Sequence, residues 1–202
     1  MAFRVIPAVL FVCSITVSAQ QETLLDIARR SAPNPVYQSR SSDLVMVSVD
    51  SAISGAGRIV HGIVERSTTY LSTDKKNLYT DYVVRPLRVM KPVQSTPASS
   101  RPGLNQMPHI TVTRWGGEMV LEGVKVTQED HDIRQFQVGE ELILLLSPRG
   151  TDKFALSAPT SSVFTVNEGR VQPLTLADHA VYNRVRGITV SQFDDEVRRH
   201  SR

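Results

Sequence analysis

The chain has 202 residues with 23 Lys+Arg against 20 Asp+Glu, a formal net charge of +3, and a single cysteine. Such balanced charge argues against a nucleic-acid binder held by phosphate contacts, which needs a concentrated basic surface. With Cys13 alone, intramolecular disulfides, Cys-based zinc sites and any cysteine pair are excluded.

Residues 1–19 read as a cleavable secretory signal peptide. Arg4 supplies the positive n-region, an apolar run covers residues 5–17, and Val17-Ser18-Ala19 offers small or β-branched residues at the cleavage positions. The run is too short for a spanning helix, which needs about 20 apolar residues. Lipoprotein processing requires a small residue before the cysteine, and Val12 precedes Cys13. Cleavage after Ala19 would start the mature protein at Gln20, without cysteine and without a stable membrane span, and place it in the periplasm or outside the cell.

Three segments are expected beyond the signal. Residues 20–43 form an N-terminal helix and linker, 44–175 a β-barrel domain, and 176–202 a C-terminal segment with a terminal helix. In the first, Leu24, Leu25, Ile27 and Ala28 predict a short amphipathic helix over residues 22–30, ended by Pro33-Asn34-Pro35 and followed by a polar connector. Residues 44–49 predict a first strand, broken by Gly55-Ala56-Gly57. Residues 58–71 and 78–90 are long β-branched runs joined by a turn at Asp74-Lys75-Lys76-Asn77. Gly62 inside the first marks a bend or close backbone approach, and Pro86 inside the second marks a bulge or unpaired position.

Residues 92–108, rich in proline and small polar residues, read as a flexible loop. Residues 109–115 form a strand stopped by Gly116-Gly117, residues 120–126 a further short strand, and residues 128–132 a charged loop. The apolar run at 141–146 predicts a strand buried on both faces. Pro148-Arg149-Gly150 is a turn, residues 154–156 a strand, and Asn167-Glu168-Gly169 the turn of a hairpin. Thr189 and Gln192 form a capping box, with Ser191 and Asp194 as a second candidate. Val190, Phe193 and Val197 at helical spacing then predict a terminal helix. The expected fold is mainly β: a small OB-like barrel, closed or partly open, with short N-terminal and C-terminal helices.

Ile59-Val60-His61-Gly62-Ile63-Val64, Leu78-Tyr79-Thr80-Asp81-Tyr82-Val83-Val84, Trp115-Gly116-Gly117 and Phe136-Gln137-Val138-Gly139-Glu140-Glu141-Leu142 together resemble uncharacterised secreted bacterial proteins with an OB-like small β-barrel core. The resemblance covers residues 58–171 and implies export and a barrel, with no activity attached. Netrin-like and metalloproteinase-inhibitor domains share this general barrel shape. Those inhibitors act through an amino-terminal cysteine, which the expected mature chain lacks.

Chemistry-bearing residues are sparse. Glu129, Asp130, His131 and Asp132 are the best metal candidate, although neighbours in sequence rarely converge on one point. His61 and Asp81 are candidates to face each other across the long hairpin, in a pair more often structural than catalytic. No G-x-S-x-G elbow and no phosphate-binding glycine loop occurs. No catalytic residue, metal ligand or cofactor is therefore expected.

Tyr70, Tyr79, Tyr82 and Trp115 are aromatics that either pack the barrel or stack on a ligand. Strand alternation puts Trp115 on one face with His109, Thr111 and Thr113, the expected binding surface, and sends Ile110 and Val112 to the core. The expected function is a secreted, non-catalytic binding or structural module whose partner is an envelope protein or glycan, with no nucleic acid. The alternatives are a metal-dependent hydrolase built on residues 129–132 and a cysteine-free peptidase inhibitor using the 92–108 loop.

Overall fold

The computed structural model describes residues 22–41, 47–92, 109–149, 153–175 and 179–201. The expected signal peptide, residues 44–46 of the expected first strand, most of the 92–108 loop and Gly150 of the expected turn lie outside them. Among the described residues no helix is long and apolar enough to cross a membrane.

Helix α1, Leu24–Ser31, forms where Thr23 caps it, its hydroxyl accepting from the Asp26 N–H at 3.2 Å. Leu24 and Ala28, one turn apart, are buried against Leu78, Leu121, Val124 and Val126. On the outer side Arg29 donates to both Glu122 oxygens, at 2.7 and 2.5 Å, and this holds the Glu122 carboxyl below its ordinary range. The polar connector expected next is instead a strand. Strand β1, Val36–Arg40, runs parallel to β6, Val124–Asp130, in register from Val36↔Val126 to Arg40↔Asp130.

A second correction follows at once. Val49 begins helix α2, Val49–Gly55, rather than ending a strand. Ser48 caps it by accepting from the Ser51 N–H at 3.1 Å, and Val49, Ala52 and Ile53 bury a helical stripe.

The mainly β class expected from the sequence is what the structure shows, with ten strands in two sheets among the described residues. In the larger sheet lie β2, Arg58–Leu71; β3, Leu78–Lys91; β4, Ile110–Trp115; β7, Glu141–Pro148; β8, Lys153–Leu156; β9, Val163–Asn167; and β10, Arg170–Pro173. Their order is β10-β9-β7-β2-β3-β4-β8, and β8 also pairs with β7, which curls the sheet into a partial ring. Val60, Val64, Tyr82, Val84, Ile110, Val112, Leu142 and Leu144 fill its inside. Ile143 and Leu145, on the opposite face of β7, pack beneath α2 and the terminal helix. β7 is thus buried on both faces, as its unbroken apolar run predicts.

Gly62 and Pro86 behave as their chemistry requires. They pair with each other beside a register shift, where Leu87 is the extra residue between the His61↔Arg88 and Gly62↔Pro86 pairs. In the β9–β10 hairpin, Glu168 and Gly169 take φ of 51° and 72°, the left-handed turn that Asn-Glu-Gly predicts.

Gly116-Gly117 turns a corner rather than stopping the sheet. The chain leaves β4 at Trp115 and enters β5, Gly117–Leu121, which pairs with β6 to form the smaller sheet β1-β6-β5. The expected strand at 120–126 is therefore the turn and flanks of a β5–β6 hairpin, and the expected loop at 128–132 is strand as far as Asp130.

Helix α3, Val190–His200, begins with the predicted Thr189–Gln192 capping box. Phe193 and Val197 are fully buried, and the Phe193 ring is 5.1 Å from that of Phe164 on β9. Asp194, nearly inaccessible, accepts from Arg198 at 2.7 Å and from Arg88 of β3, which anchors the helix to the sheet.

Candidate functional site

Cross-strand register assembles the site. β2, β3 and β4 lie side by side, and Tyr70↔Tyr79↔Trp115 are directly opposite one another, with Thr68↔Asp81↔Thr113 in a row two residues along. Because side chains alternate, these six share the outer face of the ring, while Thr80, Tyr82 and Arg114 point the other way. Tyr70 and Tyr79 stack with centroids 6.1 Å apart and planes at 28°. Tyr82 is not part of this row. It is 2% exposed inside the ring, tilted against Phe136 at 4.7 Å, and burial raises its hydroxyl pKa.

Trp115 ends the aromatic row and is half-buried. Its indole N–H donates to Asn77 Oδ1 at 2.8 Å, and the Arg40 guanidinium lies 4.0 Å from its ring centroid. The β1–β6 register delivers Arg40 to this position. Asp81 binds the row together by accepting from the Thr113 hydroxyl at 2.5 Å and the Lys153 ammonium at 2.7 Å. That hydrogen bond from Lys153 also raises the lysine's pKa.

A cleft of about 280 Å³ opens beside Trp115. Its position follows from the topology. β4 and β8 pair in parallel at only two positions, Thr111↔Lys153 and Val112↔Phe154, and then β8 continues along β7. The two strands part at the seam of the ring, between Thr113–Trp115 on one side and Ala155–Leu156 on the other. Arg40, Tyr79, Arg114, Trp115, Asp130 and Arg149 contribute the aromatic and charged wall. Arg114 projects from the inner face and is 6% exposed, donating to the Ile133 carbonyl at 3.0 Å and the Arg134 carbonyl at 2.7 Å above the Phe136 ring. Desolvation lowers its pKa from the usual arginine value, the direction expected for a buried cation.

Of the expected binding surface, Trp115 and Thr113 line this cleft. Thr111 lies further along β4 beside Lys153, outside it. His109 precedes the strand and meets Glu65 at 2.8 Å. Glu65 also accepts from Arg85 at 2.6 Å, and that bond is the main reason its carboxyl is held below its ordinary range. Arg40 and Arg149 escape a sequence reading because they come from a connector and a turn, while Asp130 is singled out there only as a metal candidate in an expected loop.

The other constellations do not converge as expected. His61 is opposite Arg88 and its ring meets Glu141 at 2.6 Å, while Asp81 is opposite Thr68, so the two do not face each other. The pleat of β6 separates Glu129 and Asp130: Glu129 accepts from the Tyr37 hydroxyl at 2.6 Å on the exposed side, and Asp130 turns to the cleft. Among the described residues, one His/Asp/Glu group has ligand atoms all within 4.8 Å of one another: Asp50, Glu196 and His200. Arg184 already bridges its two carboxylates, at 2.8 Å to Asp50 and 2.5 Å to Glu196.

No protein-family model matches the chain, and no curated protein is significantly similar to it.

Proposed function

We propose that this is a secreted, non-catalytic binding module of the cell envelope or extracellular space, and that it takes a glycan at the Trp115 cleft. The observation that supports this reading is the row Tyr70–Tyr79–Trp115, which leads across three strands into a cleft at the ring's seam. Flat aromatic surface on a rigid sheet offers contact area at little entropic cost, and the adjacent guanidinium and hydroxyl groups fix orientation. The carboxylates on this face are engaged. Asp81 holds Thr113 and Lys153, and Glu65 holds Arg85 and His109, an arrangement that rigidifies a surface rather than poising a free base. Export rests on the reading of residues 1–19 as a signal peptide.

Trp115 is the chain's single tryptophan, so its fluorescence reports the site directly. Titration with envelope glycan fractions is expected to shift it saturably. Trp115→Ala is expected to weaken retention on the same material by about tenfold or more, in keeping with the loss of an aromatic anchor. Because Trp115 is half-buried, the melting temperature should fall by only a few degrees. An emission spectrum indifferent to every glycan fraction, or a variant that simply unfolds, would remove the support for this site.

A further inference from the structure

We infer that the cleft binds a carboxylate-bearing sugar residue, a uronate in a polysaccharide chain; this rests on the binding reading above and adds the ligand's charge. Three guanidinium groups, from Arg40, Arg114 and Arg149, face one carboxylate, that of Asp130. Arg114 is committed to the Ile133 and Arg134 carbonyls and supplies fixed positive charge from below. Arg40 is held differently. Its guanidinium carbon lies 4.0 Å from the Trp115 ring centroid, and among the described residues neither it nor Arg149 forms an ion pair. A guanidinium held over an aromatic face by cation–π attraction spends no N–H donor on an ion pair, so its fork can grip a carboxylate in bidentate fashion. The cation–π contact thus fixes a charged fork in place without using it.

Size and backbone chemistry favour a sugar ring over an extended peptide. At about 280 Å³ the cleft has room for one pyranose unit and lies just below the usual range for small-molecule pockets, which begins near 300 Å³. A peptide adding to β4 at the seam would need free backbone groups there. The 133–135 segment closes over that end of the strand instead: Arg114 reaches the carbonyls of Ile133 and Arg134, and Gln135 donates to the Trp115 carbonyl at 3.4 Å. Recognition is left to side chains, with charge at one end and an aromatic edge at the other.

The test uses the full secreted chain and Trp115 fluorescence. The probes are tetrasaccharides of galacturonate, mannuronate and hyaluronan, each with its fully methyl-esterified counterpart, and N-acetylated tetraglutamate. At least one uronate is expected to bind about tenfold or more tighter than its ester and to weaken as salt is raised. Arg40→Gln and Arg149→Gln should each erase most of that difference, so that acid and ester bind nearly alike. Arg85→Gln, on a guanidinium already paired with Glu65, should change neither. Equal binding of acid and ester would overturn the charge inference and leave the glycan reading intact. Tetraglutamate binding as tightly as the best uronate would overturn the sugar assignment in favour of an acidic protein partner. Silence across every probe would sink this inference, and silence in the glycan-fraction titration as well would sink the binding reading with it.

Discussion

Phe193→Ala is expected to destabilise the whole protein by about 3–5 kcal/mol, the usual range for removing a large aromatic side chain from a core. At about 2–4 °C per kcal/mol for a chain of this size, the melting temperature should fall by about 6–20 °C. Phe193 is inaccessible and packs its ring against Phe164 on β9, among Ile53 of α2, Tyr182, Val185 and Val197. Segments that are far apart in the chain meet there, so the cavity would be shared and poorly relaxed. The informative readout is Trp115, on the opposite part of the sheet. If α3 were an appendage beside an independent β domain, the variant would lose helix signal while the Trp115 transition stayed put, and the expected loss of stability of the whole protein would not occur.

Gly62→Ala is expected to reach or exceed the upper end of the 1–3 kcal/mol typical of overpacking. A Cβ at this position would lie 2.6 Å from the Arg85 carbonyl oxygen and 2.8 Å from a Val84 methyl group. Neither can withdraw easily. One is backbone in the paired strand, and the other is a fully buried side chain in the ring. β2 is held between β3 and β7, so its own retreat is blocked on both sides. Gly55→Ala is the control, because a Cβ there meets nothing within 4 Å at the end of α2. That substitution should be neutral or stabilising by about 0.4–1 kcal/mol through the unfolded state. Urea midpoints measured side by side decide the matter: two similar midpoints would mean that Gly62 is not under steric constraint.

The contrast between these glycines shows what the sequence carries. Gly62 was legible because it interrupts a long β-branched run, where an isolated glycine usually has a steric reason. β2, β3 and β7 were legible for the same reason of length, and α3 because its capping box and its Phe193–Val197 spacing agree. Elements whose partners are distant were harder. Val36–Arg40 is a strand only because β6 pairs with it, and its polar composition offers little local preference. α2 is hidden in the sequence because Leu-Val-Met-Val-Ser-Val alternates like a strand up to Val49, while the Ser48 cap and the Val49, Ala52, Ile53 stripe select a helix. Gly116-Gly117 looked like a terminator. A Cβ on Gly117 would come within 2.4 Å of the Thr80 hydroxyl, so the pair serves a tight corner between two sheets. At the site, strand alternation puts Trp115 and Thr113 on one face, and both line the cleft. Two of the cleft's guanidiniums, those of Arg40 and Arg149, come from other parts of the chain, and only the register of β1 and the parting of β4 from β8 bring them there.

The pairing of β1 with β6 also makes the site depend on two distant stretches of chain. Hairpins β2–β3, β5–β6 and β9–β10 join neighbouring stretches of chain and close at small entropic expense. Val36 must find Val126 across most of the intervening sequence, and contacts of such separation form slowly. Ring closure carries the same burden, since β2 must find β7 at Arg58↔Leu146 and Ile59↔Leu145. Since Arg40 travels on the N-terminal arm, its guanidinium reaches the indole of Trp115 only when the arm has docked. The aromatic wall of the cleft rides on β3 and β4 and this cation on the arm, so a chain with an undocked arm would lack the finished site.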